Sequence, residues 1–294
     1  MAFYSLDAAM EQQLKALLAP LAAETPLAIT WLLYPRSLLP SGPAAVTGSA
    51  AAGSAAAGAG GCGASWGSGQ RLDPGDLVQL AYLIAAERWL QKDLLADDAE
   101  LRRALEAMIR RGSHDATSHV VDALSGTTSG PALAPWRLQA WLQQRQLVDG
   151  WLQSLGWPEL QGCRAWHKTW QDGPYGRERE AYGANGAGGN RFGSEALARL
   201  LEAVLAGTLI SPPACMRMRA LLAEPLLPAE LDPAAATAGR RLWGKASWSG
   251  PCRGLALYAE AEAAAPALLV LLAGEESAAL PNALLCRICL LYTS

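Results

Sequence analysis

Residues that could take part in chemistry are clustered in a few short stretches of this sequence. Ser113-His114-Asp115 places a hydroxyl, an imidazole and a carboxylate in a predicted turn between two helices. Lys245-Ala246-Ser247 lies on a predicted strand, and Arg253 follows eight residues after the lysine. A lysine and an arginine on adjacent strands could bind a carboxylate together, since both donate charged hydrogen bonds. The same two cations could instead be solvated strand charges.

The stretch Ser113-His114-Asp115 could be a functional group or an ordinary turn between helices. In a turn, its serine and its carboxylate would cap the following helix. His114 and His119 are then polar surface residues, because no cluster of carboxylates accompanies them to form a metal site. Cys286 and Cys289 form a Cys-x-x-Cys motif, but no second pair of ligands lies at a suitable spacing. We therefore predict neither a metal site nor a cofactor.

A long loop, residues 161–193, contains further candidates. It is rich in glycine, aromatic and charged residues and has neither helical nor strand periodicity, which is typical of functional loops. Its aromatic residues Trp166, Trp170 and Tyr175 could be packing anchors or a platform for a ligand.

Four segments follow one another in an order and spacing that recur in a known enzyme family. They are Ser113–Thr117, Ser125–Pro131, His167–Arg179 and Trp243–Trp248. With these segments the chain resembles the cyanobacterial branch of the class A β-lactamase-like serine hydrolases over roughly residues 1–276, apart from an insertion. The resemblance implies an α+β domain and an α-helical domain with an active-site cleft between them. It also implies covalent catalysis by a serine, whose proton a lysine three residues later helps to remove.

Aligned to this family, the chain lacks both of those catalytic side chains. The segment Arg71–Ala85 aligns without a gap to the Ser-x-x-Lys element, with Asp76 in place of the serine and Gln79 in place of the lysine. Glutamine has no titratable amine and cannot act as the base. Taken without the alignment, Asp76 is predicted to be the N-cap of a helix that starts at Leu77.

The resemblance also gives expected roles to the other candidates. Ser113 would relay a proton to the leaving nitrogen, and Asp115 replaces an asparagine that holds substrate in the family. Lys245 and Ser247 stand at the family's Lys-Thr-Gly position on the strand that lines the cleft. Together with Arg253 they are expected to bind a carboxylate.

The resemblance leaves two functions open. Residues 164–192 correspond to the family's Ω-loop, where a glutamate activates the deacylating water, and Glu178 or Glu180 could take that role. The missing serine and lysine favour a pseudoenzyme with a cleft for a small carboxylate-bearing ligand. The alternative is a hydrolase of β-lactams, amides or esters that uses an unrecognised nucleophile.

Hydrophobic periodicity predicts the elements that would position these residues. One strand at residues 27–34, helices in the middle of the chain and three strands near its end indicate an α+β fold. Its antiparallel sheet is built from both chain ends. We expect the α+β domain to comprise residues 1–43 and 194–289, and the helical domain to comprise residues 70–193.

The segment between these domains has a distinct composition. Of the 26 residues in 44–69, 22 are Ala, Gly or Ser. Such a segment has few side chains to bury, and their burial cannot offset the entropy that is lost when the segment becomes ordered. We therefore predict a flexible insertion. Because stability depends only weakly on loop length, deletion of residues 46–68 should lower the melting temperature by a few degrees at most.

Composition and charge restrict the function further. The chain has 294 residues, of which 51% are hydrophobic and 17% charged, with a formal net charge of −3. The chain is long and apolar enough to bury a hydrophobic core. It lacks the excess of positive charge that binding to nucleic acid or to an anionic membrane requires. No apolar run reaches the roughly 20 residues of a membrane-spanning helix. The N-terminus lacks the basic region of a secretory signal, so a cytoplasmic protein is expected. The sequence does not specify an oligomeric state.

Overall fold

The described part of the chain forms a mixed α+β structure around one sheet. The computed structural model describes residues 3–21, 26–40, 59–229, 238–248, 252–262, 264–274 and 287. The strands in these ranges are β1 (Ser5–Leu6), β2 (Leu27–Leu33), β3 (Cys62–Trp66), β4 (Arg240–Ser247), β5 (Arg253–Ala261) and β6 (Ala264–Ala273). The helices are α1 (Ala8–Leu18), α2 (Val78–Gln91), α3 (Ala99–Arg111), α4 (His114–Ser125), α5 (Pro135–Arg145), α6 (Leu147–Ser154), α7 (Gly176–Tyr182), α8 (Ser194–Ala206) and α9 (Pro212–Leu222).

Both ends of the chain contribute strands to the sheet, as the sequence predicts. The strand order is β1-β3-β2-β6-β5-β4, and every neighbouring pair is antiparallel except the short pair of β1 and β3. The predicted α+β class is therefore confirmed. Strand β4, which carries Lys245 and Ser247, lies at one edge of the sheet.

The sheet separates two hydrophobic clusters. Successive side chains of a strand point to opposite faces, and on β6 Leu268 packs with α2 and α8, whereas Leu269 packs with α1. On β4, Trp243 joins the α2 and α8 cluster, and Ala246 joins the α1 cluster. The same alternation turns the side chain of Lys245 towards the helical layer.

A very short turn connects α3 to α4. Gly112 ends α3 with φ 63°, a left-handed conformation that favours glycine. The Oγ of Ser113 accepts a hydrogen bond from the backbone N–H of Ala116 at 3.2 Å and so caps α4. Two cap signals in consecutive residues therefore fix where this turn lies.

The structure contradicts part of the predicted flexible insertion. Residues 44–58 lie outside the described residues, but Cys62–Trp66 form β3 between β1 and β2. Small residues permit close packing here, since a methyl group on Gly63 would lie 2.1 Å from the carbonyl oxygen of Trp31. Deletion of residues 46–68 would remove this strand, so we now expect the deletion to lower the melting temperature by more than a few degrees.

Two further elements differ from the sequence analysis or are not tested by the structure. Helix α9 was not predicted; Ser211 caps it and prolines occupy its first turn. Cys286 and Cys289 lie outside the described residues. The two-domain division stays a prediction, with β3 added to the α+β part.

We predict that Gly63→Ala destabilises the protein by about 2 kcal/mol or more, because the new methyl group overlaps backbone atoms of β2. Gly69→Ala is the matched control, since Gly69 is exposed and a methyl group there contacts nothing. Urea unfolding of both variants measures the difference. Equal stabilities would show that β3 does not pack as described.

Candidate functional site

Asp76 lies at the junction of the helical layer and the sheet edge. It belongs to a single 3₁₀ turn, Gly75–Leu77, that leads into α2. Its backbone N–H donates to the Oγ of Ser247 at 2.9 Å. Gly75 has φ 52°, and a methyl group there would lie 2.4 Å from the same Oγ. The start of α2 therefore rests directly on β4, and only glycine fits before Asp76.

Gln79 holds the Asp76 carboxylate from one side. Its Nε2 donates to Oδ1 of Asp76 at 3.2 Å and to Oγ1 of Thr117 at 3.0 Å. The Thr117 hydroxyl in turn donates to the carbonyl of Ser113 at 2.8 Å. The amide therefore links α2 to α4 and brings no titratable group to the site. The carboxylate does not cap the helix, so the N-cap prediction for Asp76 is wrong; Asp73 accepts from the N–H of Gly75 instead.

Lys245 approaches the carboxylate from β4. The lysine is 5% exposed, and its Nζ donates to the carbonyl of Ile109 at 3.0 Å and to that of Met108 at 3.4 Å. These carbonyls belong to the last turn of α3, where a cation is favourable. Burial lowers the pKa of Lys245 to about 8, although the Asp76 charge opposes that shift.

His114 completes the surroundings of the carboxylate. Its Nε2 lies 3.4 Å from Oδ1 of Asp76. Burial raises the pKa of Asp76, and Lys245 and His114 both oppose the rise. The site is thus a buried carboxylate that an amide, an ammonium group and an imidazole compensate.

Two cavities meet at Asp76. One, which we name the cationic cavity, has a volume of about 260 Å³ and is lined by Arg110, Arg111, Lys245 and Trp248 as well as by Asp76. Three of these side chains are basic and one is acidic. This composition suits an anion with an apolar part.

The other cavity, which we name the loop cavity, lies on the side of the loop 161–193. It has a volume of about 450 Å³, within the range of small-molecule sites. Its walls include Asp76, His114, His167, Trp170 and Cys252.

Comparison with solved structures identifies the architecture. The chain matches a β-lactamase from Sphaerobacter thermophilus DSM 20745 with a TM-score of 0.62 over 94% of this chain and 93% of that one, at 13% identity. PBP-A matches with 0.60 over 97% and 95%, at 12% identity. An ancestral class A β-lactamase matches with 0.60 over 95% and 97%, at 15% identity. No protein-family model and no curated protein matches the sequence. The chain has the class A β-lactamase fold.

In the turn between α3 and α4, Gly112 is close to Asp76, whereas Ser113 and Asp115 line another cavity. A methyl group on Gly112 would lie 3.1 Å from Oδ2 of Asp76 and 3.8 Å from Nζ of Lys245. Ser113 and Asp115 line a separate cavity on the far side of the turn. His114 is half-buried, with 28% of its side chain exposed, and its contact with Asp76 was not predicted. Gly112, which ends α3, is the sequence signal from which the position of this turn could have been assigned.

The predicted pair of Lys245 and Arg253 is also wrong. Lys245 lies opposite Ala256 on β5, and Arg253 is three residues from Ala256, so its side chain starts on the other face of the sheet. The Arg253 guanidinium lies 5.7 Å from the ring centroid of Trp248, which packs on the α1 cluster. The sequence does not show the register between β4 and β5, which decides whether Lys245 and Arg253 lie on the same face of the sheet.

The loop glutamates do not reach the cavities of this fold. Glu178 is fully buried, pairs with Arg145 and accepts from the Ser129 hydroxyl at 2.9 Å. Lys168 adds its Nζ at 3.9 Å. Glu180 is exposed on α7. Neither glutamate lines the cationic or the loop cavity, so neither is placed to activate a water beside Asp76.

The described ranges contain neither a candidate metal cluster nor a helix that could span a membrane. No group of three or more His, Cys, Asp or Glu residues there could hold a metal ion. No helix in those ranges is both long and apolar enough to cross a bilayer. The described cysteines Cys62, Cys163, Cys215 and Cys252 form no disulfide.

We predict that Lys245→Met lowers the free energy of unfolding at pH 7 by about 2 kcal/mol or more. The variant removes the ammonium charge that stabilises the buried Asp76 carboxylate, and it leaves the carbonyls of Met108 and Ile109 without their donor, and both changes are destabilising. Lys15→Met is the control, because the Lys15–Glu11 pair is exposed and should change stability by less than about 0.5 kcal/mol.

Adding Asp76→Asn to Lys245→Met should recover part of the loss, since the uncompensated charge is then removed. Urea unfolding measures all variants. A Lys245→Met protein as stable as Lys15→Met would disprove the compensation.

Proposed function

We propose that this protein is a non-acylating member of the cyanobacterial branch of the class A β-lactamase-like hydrolases, and that its cleft binds a small carboxylate-bearing ligand. One observation carries the proposal. Asp76 and Gln79 stand at the start of α2, and the Gln79 amide hydrogen-bonds to the Asp76 carboxylate. The family's serine and lysine are absent there.

The environment of Asp76 supports charge compensation rather than nucleophilic attack. Gln79, Lys245 and His114 surround the carboxylate and stabilise its negative charge, which lowers its reactivity. Attack on an amide also needs a base, and Gln79 cannot accept a proton. Loss of the nucleophile or its base in a serine hydrolase costs on the order of a million-fold in turnover.

Charge in the cationic cavity supports the ligand class. Arg110, Arg111 and Lys245 line it together with one carboxylate, and Leu226 and Trp248 add apolar surface. A ligand with a carboxylate and a small apolar group would pair with the guanidinium of Arg111 and cover Trp248. The Asp76 carboxylate limits how deeply the ligand can enter the cavity, because it repels an anion that passes Lys245.

The acylation prediction concerns nitrocefin and a fluorescent penicillin. Wild-type protein should hydrolyse nitrocefin no faster than the protein-free reaction and should take no covalent label. Asp76→Ser with Gln79→Lys restores a nucleophile and base at helical spacing and should label with penicillin. Hydrolysis of the resulting acyl-enzyme should be slow, because Gly112 has no hydroxyl to relay a proton and no glutamate lines either cavity.

The single variants Asp76→Ser and Gln79→Lys are the controls, and each should stay unlabelled because it lacks one of the two groups. Mass spectrometry locates any adduct. Wild-type turnover that survives Asp76→Ala would overturn the proposal.

Such turnover would favour the alternative, a hydrolase with another nucleophile. One observation supports a specific candidate: Cys252 is partly exposed and lines the loop cavity together with His114. A cysteine nucleophile needs a base such as an imidazole, and His114 lines the same cavity. In that case Cys252→Ala should abolish hydrolysis of an aryl ester, whereas Cys62→Ala should not, since Cys62 lies on β3.

For the ligand class we use phenylacetate as the probe. Wild-type protein should bind phenylacetate more tightly than the uncharged phenylacetamide, and Arg111→Met should remove most of that difference. Arg103→Met on the same helix is the control, because Arg103 pairs with Glu100 and lines a different cavity. Isothermal titration calorimetry measures each pair. Equal affinities for acid and amide would contradict a carboxylate site.

A further inference from the structure

A further cavity adjoins the cationic cavity, and we name it the apolar cavity. It has a volume of about 480 Å³, within the range of small-molecule sites. Leu221 and Ala223 line the apolar cavity and not the cationic one. Six residues line both cavities: Ile109, Arg110, Pro225, Leu226, Leu227 and Gly244. The two cavities therefore lie side by side along the same stretch of chain.

The segment that follows α9 pairs with β4 and then separates from it. The N–H of Glu224 donates to the carbonyl of Leu242 at 3.0 Å. Pro225 comes next and has no N–H to continue this pairing. Residues 225–228 and residues 244–246 then both line the cationic cavity. The cationic cavity thus opens where the segment leaves the edge strand.

The border that the two cavities share is held in place by contacts within the protein. Nη2 of Arg110 donates to the carbonyl of Ala220 at 2.8 Å and so joins the last turn of α3 to the last turn of α9. Ile109 is 5% exposed and Leu227 is 9% exposed, and both pack into hydrophobic clusters. A ligand would therefore meet walls that are already ordered, which lowers the entropic cost of binding.

Charge differs between the two cavities. Arg111 and Lys245 line the cationic cavity and not the apolar one, whereas the charged residues of the apolar cavity are Arg110 and Glu224, of opposite sign. A second carboxylate would gain little in the apolar cavity, because Glu224 offsets the charge of Arg110. The combined site is therefore positively charged at one end and mainly apolar at the other.

An exposed leucine lies where the two cavities meet. Leu226 is 76% exposed and lines both of them. Leu221 and Ala223 continue this apolar surface away from Lys245. An apolar group that covers Leu226 and these two side chains would remove all three from water, which favours binding.

We infer that the ligand of the cationic cavity is a medium-chain alkanoic acid, whose carboxylate lies beside Arg111 and Lys245 and whose alkyl chain extends over Leu226 into the apolar cavity. This inference rests on the proposed function, because it needs the carboxylate site, and it adds the chemistry of the other end of the ligand. A compact acid such as phenylacetate would lie in the cationic cavity without contacting Leu221 or Ala223.

The first test titrates the wild-type protein with butanoate, hexanoate and octanoate in a calorimeter. Each added methylene should tighten binding about two- to threefold, because it loses apolar area to water only in part in an open cavity. Octanoate should therefore bind at least about tenfold more tightly than butanoate. Octanamide has the same chain without the charge and should bind more weakly than octanoate.

Two variants test whether the chain enters the apolar cavity. Ala223→Phe should fill part of it and weaken octanoate binding about tenfold, with phenylacetate binding unchanged. Phenylacetate is the matched ligand, because it has as many carbon atoms beyond its carboxylate as octanoate. Leu221→Ala removes apolar wall and should weaken octanoate binding severalfold, again without an effect on phenylacetate. Ala140→Phe is the control variant, since Ala140 is exposed on α5 and lines neither cavity.

Equal binding of butanoate and octanoate, with acids still bound more tightly than amides, would overturn this inference and leave the carboxylate site of the proposed function standing. The inference also fails if a folded Ala223→Phe protein binds octanoate as the wild type does, or weakens phenylacetate binding equally. Equal binding of octanoate and octanamide would overturn the proposed function and this inference together. The wild-type series needs no variant, so it decides the matter even if Ala223→Phe does not fold.

Discussion

A buried carboxylate at the start of α2 sets the arrangement of the whole centre. Removing an aspartate from water is costly unless cations and donors replace the lost hydration. Four elements supply these groups: α2 through Gln79, β4 through Lys245, the end of α3 through the carbonyls that hold the lysine, and α4 through His114. The Asp76 carboxylate therefore lies where α2, the end of α3, α4 and the sheet edge come together.

The fold of this molecule and the side chains at the start of α2 give different indications of its function. The class A β-lactamase architecture is present over nearly the whole chain, yet its central positions hold groups that stabilise one another. Gln79 donates to the Asp76 carboxylate, the charge of Lys245 stabilises it, and Gly112 contributes no side chain beside it. A fold can keep its cleft while its reactive groups are replaced, because function depends on the site.

Local patterns in the sequence predicted the sheet from both chain ends and the α+β class, because strand and helix periodicity are local signals. Strand β3 was missed, because its small residues resemble a flexible linker until the close approach of β2 is known. The contact of His114 with Asp76 was not predicted. It depends on where the turn between α3 and α4 lies, and Gly112 fixes that position by ending α3. Arg253 required the register of β4 and β5, and the partner of Glu178 required Arg145 from a distant helix. Such relations are tertiary and leave no local pattern.

The pairing of Arg145 with Glu178 has a consequence for folding cooperativity. Both side chains are completely buried, one on α5 and one on α7. If the loop 161–193 detached alone, the buried Arg145 guanidinium would lose Glu178 and keep only Asp122 of α4, at 2.9 Å, as a counter-charge, which is unfavourable. The loop and the helices α4 and α5 should therefore open together as one unit in hydrogen exchange. A segment that looks like a surface lid in the sequence would then share the protection of the helical interior.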